Sequence, residues 1–438
     1  MIRWPREALF VLVSICACSA TPPADPYNPS GLGGSSSNGA NGGNSALGGS
    51  AGSHIGSGGS AGNPAGGSTG LGGAGGTLSS MGGQGGAGGV GGVGGMPYMG
   101  RQPKSPTASL VYVDGLRLMV GKRASNGMLA APTPYAIKGV GWSPTGIGES
   151  NNGGGYTKLY TEHAPTDVPL MSTQLHANTV KTYDDFEQNA QGLAVLDQLY
   201  ASGVMVLMTV MIGHTTTQDQ YVAAVNYFKN HPGILGWVIG NEFNYNNLYG
   251  AANYDQAVGM VNTAVTAIHA ADPDHPVLVG YGEVPSPSNY AAIPGPDIWA
   301  INLYPNLDLN SRITAWTKVS KKPMIVGEYG ADAFNSKTNS EDQASQATAT
   351  NTLTNQIILH YSSNGMDAAH CVIGGTIYAL TDEWWKDPNG NANTHDNGGF
   401  ANTIYPDGQA NEEWWGLATI QRQPRQAFTT LANLYANN

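Results

Sequence analysis

Eight short apolar runs, each followed by a polar loop and a stretch of 3.6-residue periodicity, predict a (β/α)8 barrel in the chain that follows Gly100. The runs are continuous rather than alternating, which is the pattern of parallel strands covered on both faces. Of the 438 residues, 338 follow Gly100, enough for eight βα units around one large core. A doubly wound sheet would share the alternation of strand and helix, but no Gly-rich phosphate loop follows the first run.

The elements read in chain order as follows. Residues 108–122 carry two apolar runs around Asp114-Gly115, a hairpin signal, and are expected to plug the N-terminal end of the barrel. Strands are read over 136–142, 178–183, 204–212, 234–240, 276–281, 298–303, 324–327 and 372–379. Helices are read between them over 192–202, 218–230, 254–271 and 345–361, and a last helix over 424–435 closes the ring. The catalytic domain is thus expected to span 108–438.

Upstream the composition changes. Of 62 glycines, 31 lie in 31–100, mixed with Ser, Ala and Asn, and that stretch holds no Asp, Glu, Lys or Arg. Such a chain cannot bury enough apolar surface to offset its ordering entropy, so 18–107 is expected to be a disordered, flexible linker. Arg3 and Arg6 precede an apolar run from Ala8 that has the length of a signal peptide and is too short to span a membrane. The run ends in Ile15-Cys16-Ala17-Cys18, which resembles the lipobox of bacterial lipoproteins. That resemblance implies a signal peptide over 1–17, lipidation of Cys18, and a secreted protein tethered to a bacterial membrane by its lipid alone. An ordinary secretory signal cleaved near Ala20 is the alternative. Cys371 then remains as the one thiol, expected in the core.

The net charge of −11 falls entirely after residue 100, where 28 acidic residues outnumber 17 basic ones. A mildly acidic globule argues against nucleic acid as a partner. No His-Glu-x-x-His and no spaced cysteine pair suggests zinc, and Gly141-Trp-Ser143-Pro-Thr145 lacks the closing glycine of a serine-nucleophile turn. Asp382, Asp387 and Asp396, with Asn389 and Asn391, lack the spacing of an EF-hand. No cofactor is expected, and the chain is read as a monomer. His163, His176, His231 and His275 are read as surface residues.

In barrels the chemistry lies where the strands end. The fourth run ends Gly240-Asn241-Glu242, and the seventh ends Gly327-Glu328-Tyr329-Gly330. Each carboxylate follows an apolar strand, where an ionised group is costly unless it is used or paired. Together they supply what glycoside hydrolysis needs, an acid for the leaving oxygen and a carboxylate for the anomeric carbon. Capping or salt-bridge carboxylates at loop starts are the structural alternative.

These residues resemble glycoside hydrolase clan A. Within it, Ile137-Lys-Gly-Val-Gly-Trp142, Asn178-Thr-Val-Lys-Thr-Tyr183, Gly240-Asn-Glu242 and Gly327-Glu-Tyr-Gly330 look similar to the fungal β-1,3-glucanosyltransferases and to the catalytic barrels of family 2 hydrolases. The resemblance implies that Glu242 is the acid/base and Glu328 the nucleophile of a retaining enzyme. It further implies that the Tyr304 hydroxyl bonds the nucleophile and that Asn241 contacts the sugar 2-hydroxyl. Trp384 is expected as a stacking floor for a sugar, with Trp142 and Trp414–Trp415 as weaker candidates. His214, after the third strand, is a candidate sugar contact or a strand cap. Lys181 stands where the nearest clan members carry Arg, giving a point charge in place of a bidentate fork. The expected substrate is a β-glucan or related oligo- or polysaccharide. Glucanosyl transfer and a non-catalytic surface carbohydrate binder are the other readings.

Overall fold

The computed structural model describes residues 98–151, 155–213, 216–365, 367–386, 391–401 and 407–438. The expected signal peptide, Cys18, the linker up to residue 97, His214, Asp387 and Asn389 lie outside the described residues.

β1 (Leu110–Asp114) and β2 (Arg117–Gly121) form the expected antiparallel hairpin, with β3 (Thr133–Pro134) paired to β2. Val111, Leu118 and Val120 pack against Ile137, Met205, Leu235, Ile298 and Ile325, which stand at the starts of barrel strands. The hairpin therefore stoppers the N-terminal end of the barrel interior. Just ahead of it, the Lys104 and Ser105 amides donate to Asp274 and the Thr107 hydroxyl to the Asn230 carbonyl, so 104–107, expected at the end of the disordered linker, are instead tied to the base of the barrel.

The barrel is built from β4 (Ile137–Trp142), β5 (Thr179–Thr182), β6 (Met205–Val210), β7 (Ile234–Ile239), β8 (Val277–Gly282), β9 (Ile298–Asn302), β10 (Met324–Tyr329) and, after a small hairpin of β11 (Phe334–Asn335) and β12 (Ser340–Glu341), β13 (Val372–Ile377). The ring closes in the order β10-β13-β4-β5-β6-β7-β8-β9 with every pairing parallel. These are the eight apolar runs. A further hairpin, β14 (Gly399–Ala401) with β15 (Gln409–Asn411), follows the last barrel strand.

The surrounding helices are α1 (Thr157–Pro169), α2 (Ala190–Ala201), α3 (Gln218–Phe228), α4 (Phe243–Asn246), α5 (Tyr254–Ala271), α6 (Pro287–Ala291), α7 (Leu309–Val319), α8 (Gln343–Leu359) and α9 (Gln426–Asn437). Their starts are written in polar caps: Asn189, Asn253, Asp308 and Asp342 each accept backbone amides of α2, α5, α7 and α8. α1 escapes sequence reading because Pro165 and Pro169 lie inside it. Burial of Tyr160, Ala164 and Val168 against the strands overrides the prolines. Among the described residues no helix is long and apolar enough to cross a membrane.

Side chains alternate across the barrel wall. In β6, Met205 and Leu207 face the interior cluster while Val206, Met208 and Val210 face the helices. Cys371 is buried, as expected of a core thiol.

Candidate active site

Strict alternation would send residue 328 outward. In β10, Ile325 faces the interior and Val326 the helical shell. The pairing of β10 with β9 is irregular between Val326 and Glu328, and this shift turns Glu328 inward. Tyr329 goes outward instead, its hydroxyl meeting Thr354 of α8. Gly327 is required at the irregularity, because a Cβ there would lie 2.8 Å from Asn302 Oδ1.

Once inside, the Glu328 carboxylate is held at both oxygens. The Lys181 ammonium donates to Oε1 at 2.9 Å and the Tyr304 hydroxyl to Oε2 at 2.9 Å. Lys181 is itself buried and lies 4.5 Å over the Tyr183 ring. Burial alone would raise the Glu328 carboxyl. The charge and hydrogen bond of Lys181, aided by Lys386 and Tyr183, outweigh it and hold the group below the usual carboxylate range.

Glu242 arrives by another route. The chain leaves β7 through two left-handed residues, Gly240 at φ 67° and Glu242 at φ 51°, which lift the glutamate off the strand. Here burial, followed by the negative charge of Glu328, pushes the carboxyl up to about 7. A hydrogen bond with Asn302 and the charges of Lys181 and Lys386 only partly oppose that rise. Asn241 links the two sites: its Oδ1 accepts from Lys181 Nζ at 3.0 Å and from Asn302 Nδ2 at 3.2 Å. Both donors approach the oxygen, so the amide nitrogen turns the other way as a donor. The lysine that replaces the arginine of the resembling family thus serves Glu328 and Asn241 at once with a single ammonium.

The structure brings Glu242, Glu328, Asn241, Lys181 and Tyr304 together. It corrects Trp142, which is fully buried between Tyr160 and Phe186 with its indole N–H on Asp167, and so offers no face to a sugar. Trp384 is half-buried, and His395 stacks on one of its faces. Trp415 is buried edge-on to Tyr304 and Tyr378, where it buttresses the hydroxyl partner of Glu328. Three histidines read as surface residues are structural: His275 is buried on Asp272, His163 bridges Glu149 and Arg422, and the mostly buried His231 pairs with Asp197 and accepts the Gly233 amide. Asp382 is buried and gripped by both Nη atoms of Arg425 at 2.7 Å.

Sequence reading missed one network. The Lys386 ammonium donates to the Tyr378 hydroxyl and lies 3.8 Å from Glu383 and 3.7 Å from Glu412, while Glu383 also accepts from Tyr156. Glu383 and Lys386 flank Trp384-Trp385 just after the last apolar strand, and two opposite charges at that place are the signal that the sequence carries.

The arrangement offers two carboxyl groups whose environments push their proton affinities apart, Glu242 up and Glu328 down, which is the pattern of an acid and a nucleophile sharing one mouth.

The family description "Glycosyl hydrolases family 2, TIM barrel domain" matches residues 212–437. No curated protein matches the chain. Among solved structures the chain is similar to a β-D-glucuronidase of Dictyoglomus thermophilum, at 16% identity and TM-score 0.50, over 75% of this chain and 54% of that one. It is also similar to a β-galacturonidase of Eisenbergiella tayi, at 15% identity and TM-score 0.51, over 75% of this chain and 54% of that one. A third is a β-glucuronidase of Bacteroides uniformis, at 16% identity and TM-score 0.51, over 75% of this chain and 37% of that one. At these identities the likeness is one of fold. The matched region is about half of the first two structures and less of the third.

Proposed function

The chain belongs to family 2 of the glycosyl hydrolases through its TIM barrel domain, and from that premise we propose that it is a retaining glycosidase acting on a β-linked glucan or a related neutral polysaccharide. The observation that carries the reading is the split between the glutamates, Glu242 pushed up to about 7 and Glu328 held low by Lys181.

In the first step a Glu328 oxygen forms an ester bond to the anomeric carbon as the bond to the leaving oxygen breaks. Glu242 gives its proton to that oxygen. Esterification removes the Glu328 charge, one of the two causes that keep Glu242 protonated, so the proton affinity of Glu242 falls. It then takes a proton from water, whose oxygen bonds to the anomeric carbon as the ester breaks. Two displacements restore the starting configuration.

A neutral sugar is favoured by the cations. Lys181 and Lys386 are the lysines whose charges act on both glutamates, and each is already committed, one to Glu328 and the other beside Glu383 and Glu412. The undescribed residues after 97 include neither Lys nor Arg. A substrate carboxylate, as on the uronides named for the similar structures, would meet Glu328, Glu383 and Glu412, to which these two ammonium groups are already committed.

The test is proton NMR of laminari-oligosaccharide digestion, with chromatography of the products. Retention predicts that the β-anomer appears first; shorter products mean hydrolysis and longer ones transfer. An α-anomer appearing first, or no new product, overturns the reading. The same proposal keeps Cys18 as a lipid anchor and the Gly-rich linker as tether, and Cys18→Ala should then move the active protein out of the membrane fraction.

A further inference from the structure

We propose that Tyr249, on the loop after β7, is the platform of a leaving-group subsite that receives a pyranose ring on the far side of the scissile bond. The proposal rests on the glycosidase reading above.

The backbone is the first observation. Asn247, Leu248 and Tyr249 are three consecutive non-glycine residues in the left-handed region, at φ 48°, 52° and 56°. L-residues avoid this conformation because Cβ crowds the following carbonyl, and a run of three persists only where the surroundings over-determine it. Here they do. Asn246 donates from Nδ2 to the Asn241 carbonyl at 2.7 Å while its Oδ1 accepts the Leu248 amide at 2.9 Å. The Leu248 side chain is buried, close enough to Gly240 that a Cβ there would meet it at 3.1 Å. Asn244 exchanges two bonds with the backbone of Gly282, at 2.8 and 2.7 Å, fixing the loop to the end of β8.

What this clamp holds in place is an exposed ring. Tyr249 is 58% exposed, so full burial in the core does not repay its conformation. The Asn246–Asn241 bond and the approach of Leu248 to Gly240 tie the loop to the two residues ahead of Glu242, so Tyr249 stands beside the exit of the acid from β7. Desolvation and then the charge of Glu242 push its phenol up to about 12. The acid protonates the leaving oxygen, so a ring beside it lies on the leaving-group side. The C–H face of a pyranose is apolar and fits the negative face of an aromatic ring. A strained, clamped, exposed tyrosine at that place is accounted for by a sugar stacked on it.

The test compares two substrates of the full-length protein. Laminaribiose puts glucose in the leaving position, whereas β-D-glucosyl fluoride expels an ion too small to touch Tyr249. Tyr249→Ala should lower kcat/KM on laminaribiose roughly tenfold and leave the fluoride within about twofold. Tyr249→Trp should restore the disaccharide rate. Parallel losses on both substrates, or no loss on either, overturn the subsite and leave the glycosidase reading intact. Turnover of neither substrate by the unaltered protein overturns that reading, and the subsite falls with it.

Discussion

The ends of β7 and β10 carry the same side chain and make opposite uses of it. At β10 the glutamate stays within the strand and is turned inward by a pairing irregularity, where an ammonium and a phenol hydroxyl grip its two oxygens. At β7 the chain exits through left-handed residues and presents its glutamate to a hydrogen bond with Asn302, and among the described residues it forms no ion pair. Both groups are desolvated, so burial does not distinguish them. Proximity to Lys181 does: it holds Glu328 low, and the negative charge so kept on Glu328 adds to burial in raising Glu242. One buried lysine therefore does most to separate the two proton affinities.

Three measurements would break or sharpen this contrast. The largest effect is expected from Glu328→Ala, which removes the proposed attacking atom and should lower turnover of an activated aryl glycoside by roughly 10⁴-fold or more. Glu242→Ala should lose far less on the same substrate, because a good leaving group needs no proton. Equal losses would contradict the assigned roles.

A smaller effect is expected from Lys181→Met. With the ammonium gone from 2.9 Å, burial is opposed mainly by Lys386 and Tyr183, and the Glu328 carboxyl rises. The enzyme needs that group ionised, so the acid limb of the pH–rate profile should move up by about 1–2 units and kcat should fall roughly 10²-fold. Lys181→Arg keeps the charge and should keep the acid limb near its original place. An acid limb unmoved in Lys181→Met would remove Lys181 from the account.

The smallest effect concerns stability. Because the folded carboxyl of Glu242 is raised to about 7, the folded state binds its proton more tightly than the unfolded chain does. Its ionisation therefore destabilises the fold as pH climbs from the ordinary carboxylate range through 7, and the full cost is present above 7. Glu242→Gln should raise Tm at pH 8 by a few degrees and leave it nearly unchanged at pH 4. A stabilisation equal at both values would mean that something other than the charge is relieved.

Much of this was legible in the sequence because hydrophobic periodicity is a local signal. All eight strands and the hairpin stopper follow from runs of a few residues, and the helix starts from single caps such as Asn253 and Asp342. Glu242 and Glu328 stood out for an equally local reason, an ionisable group closing an apolar strand. α1 did not, since its prolines are local signals too and point the wrong way.

The sequence by itself determined which strands form and which residues stand at their ends; the tertiary structure decided what those residues face. Trp142 closes a strand as plainly as Glu242 follows one, yet the packing of α1 against β4 and β5 seals it in the core. The inward turn of Glu328 depends on its register against β9, and its proton affinity on Lys181, 147 residues away in the chain. Lys386 and the strained loop of Tyr249 carry no periodic signature at all. Burial patterns are fixed by the free energy of neighbouring side chains along one element, whereas facing, field and strain arise only when distant elements close on one another, and those three properties make the site.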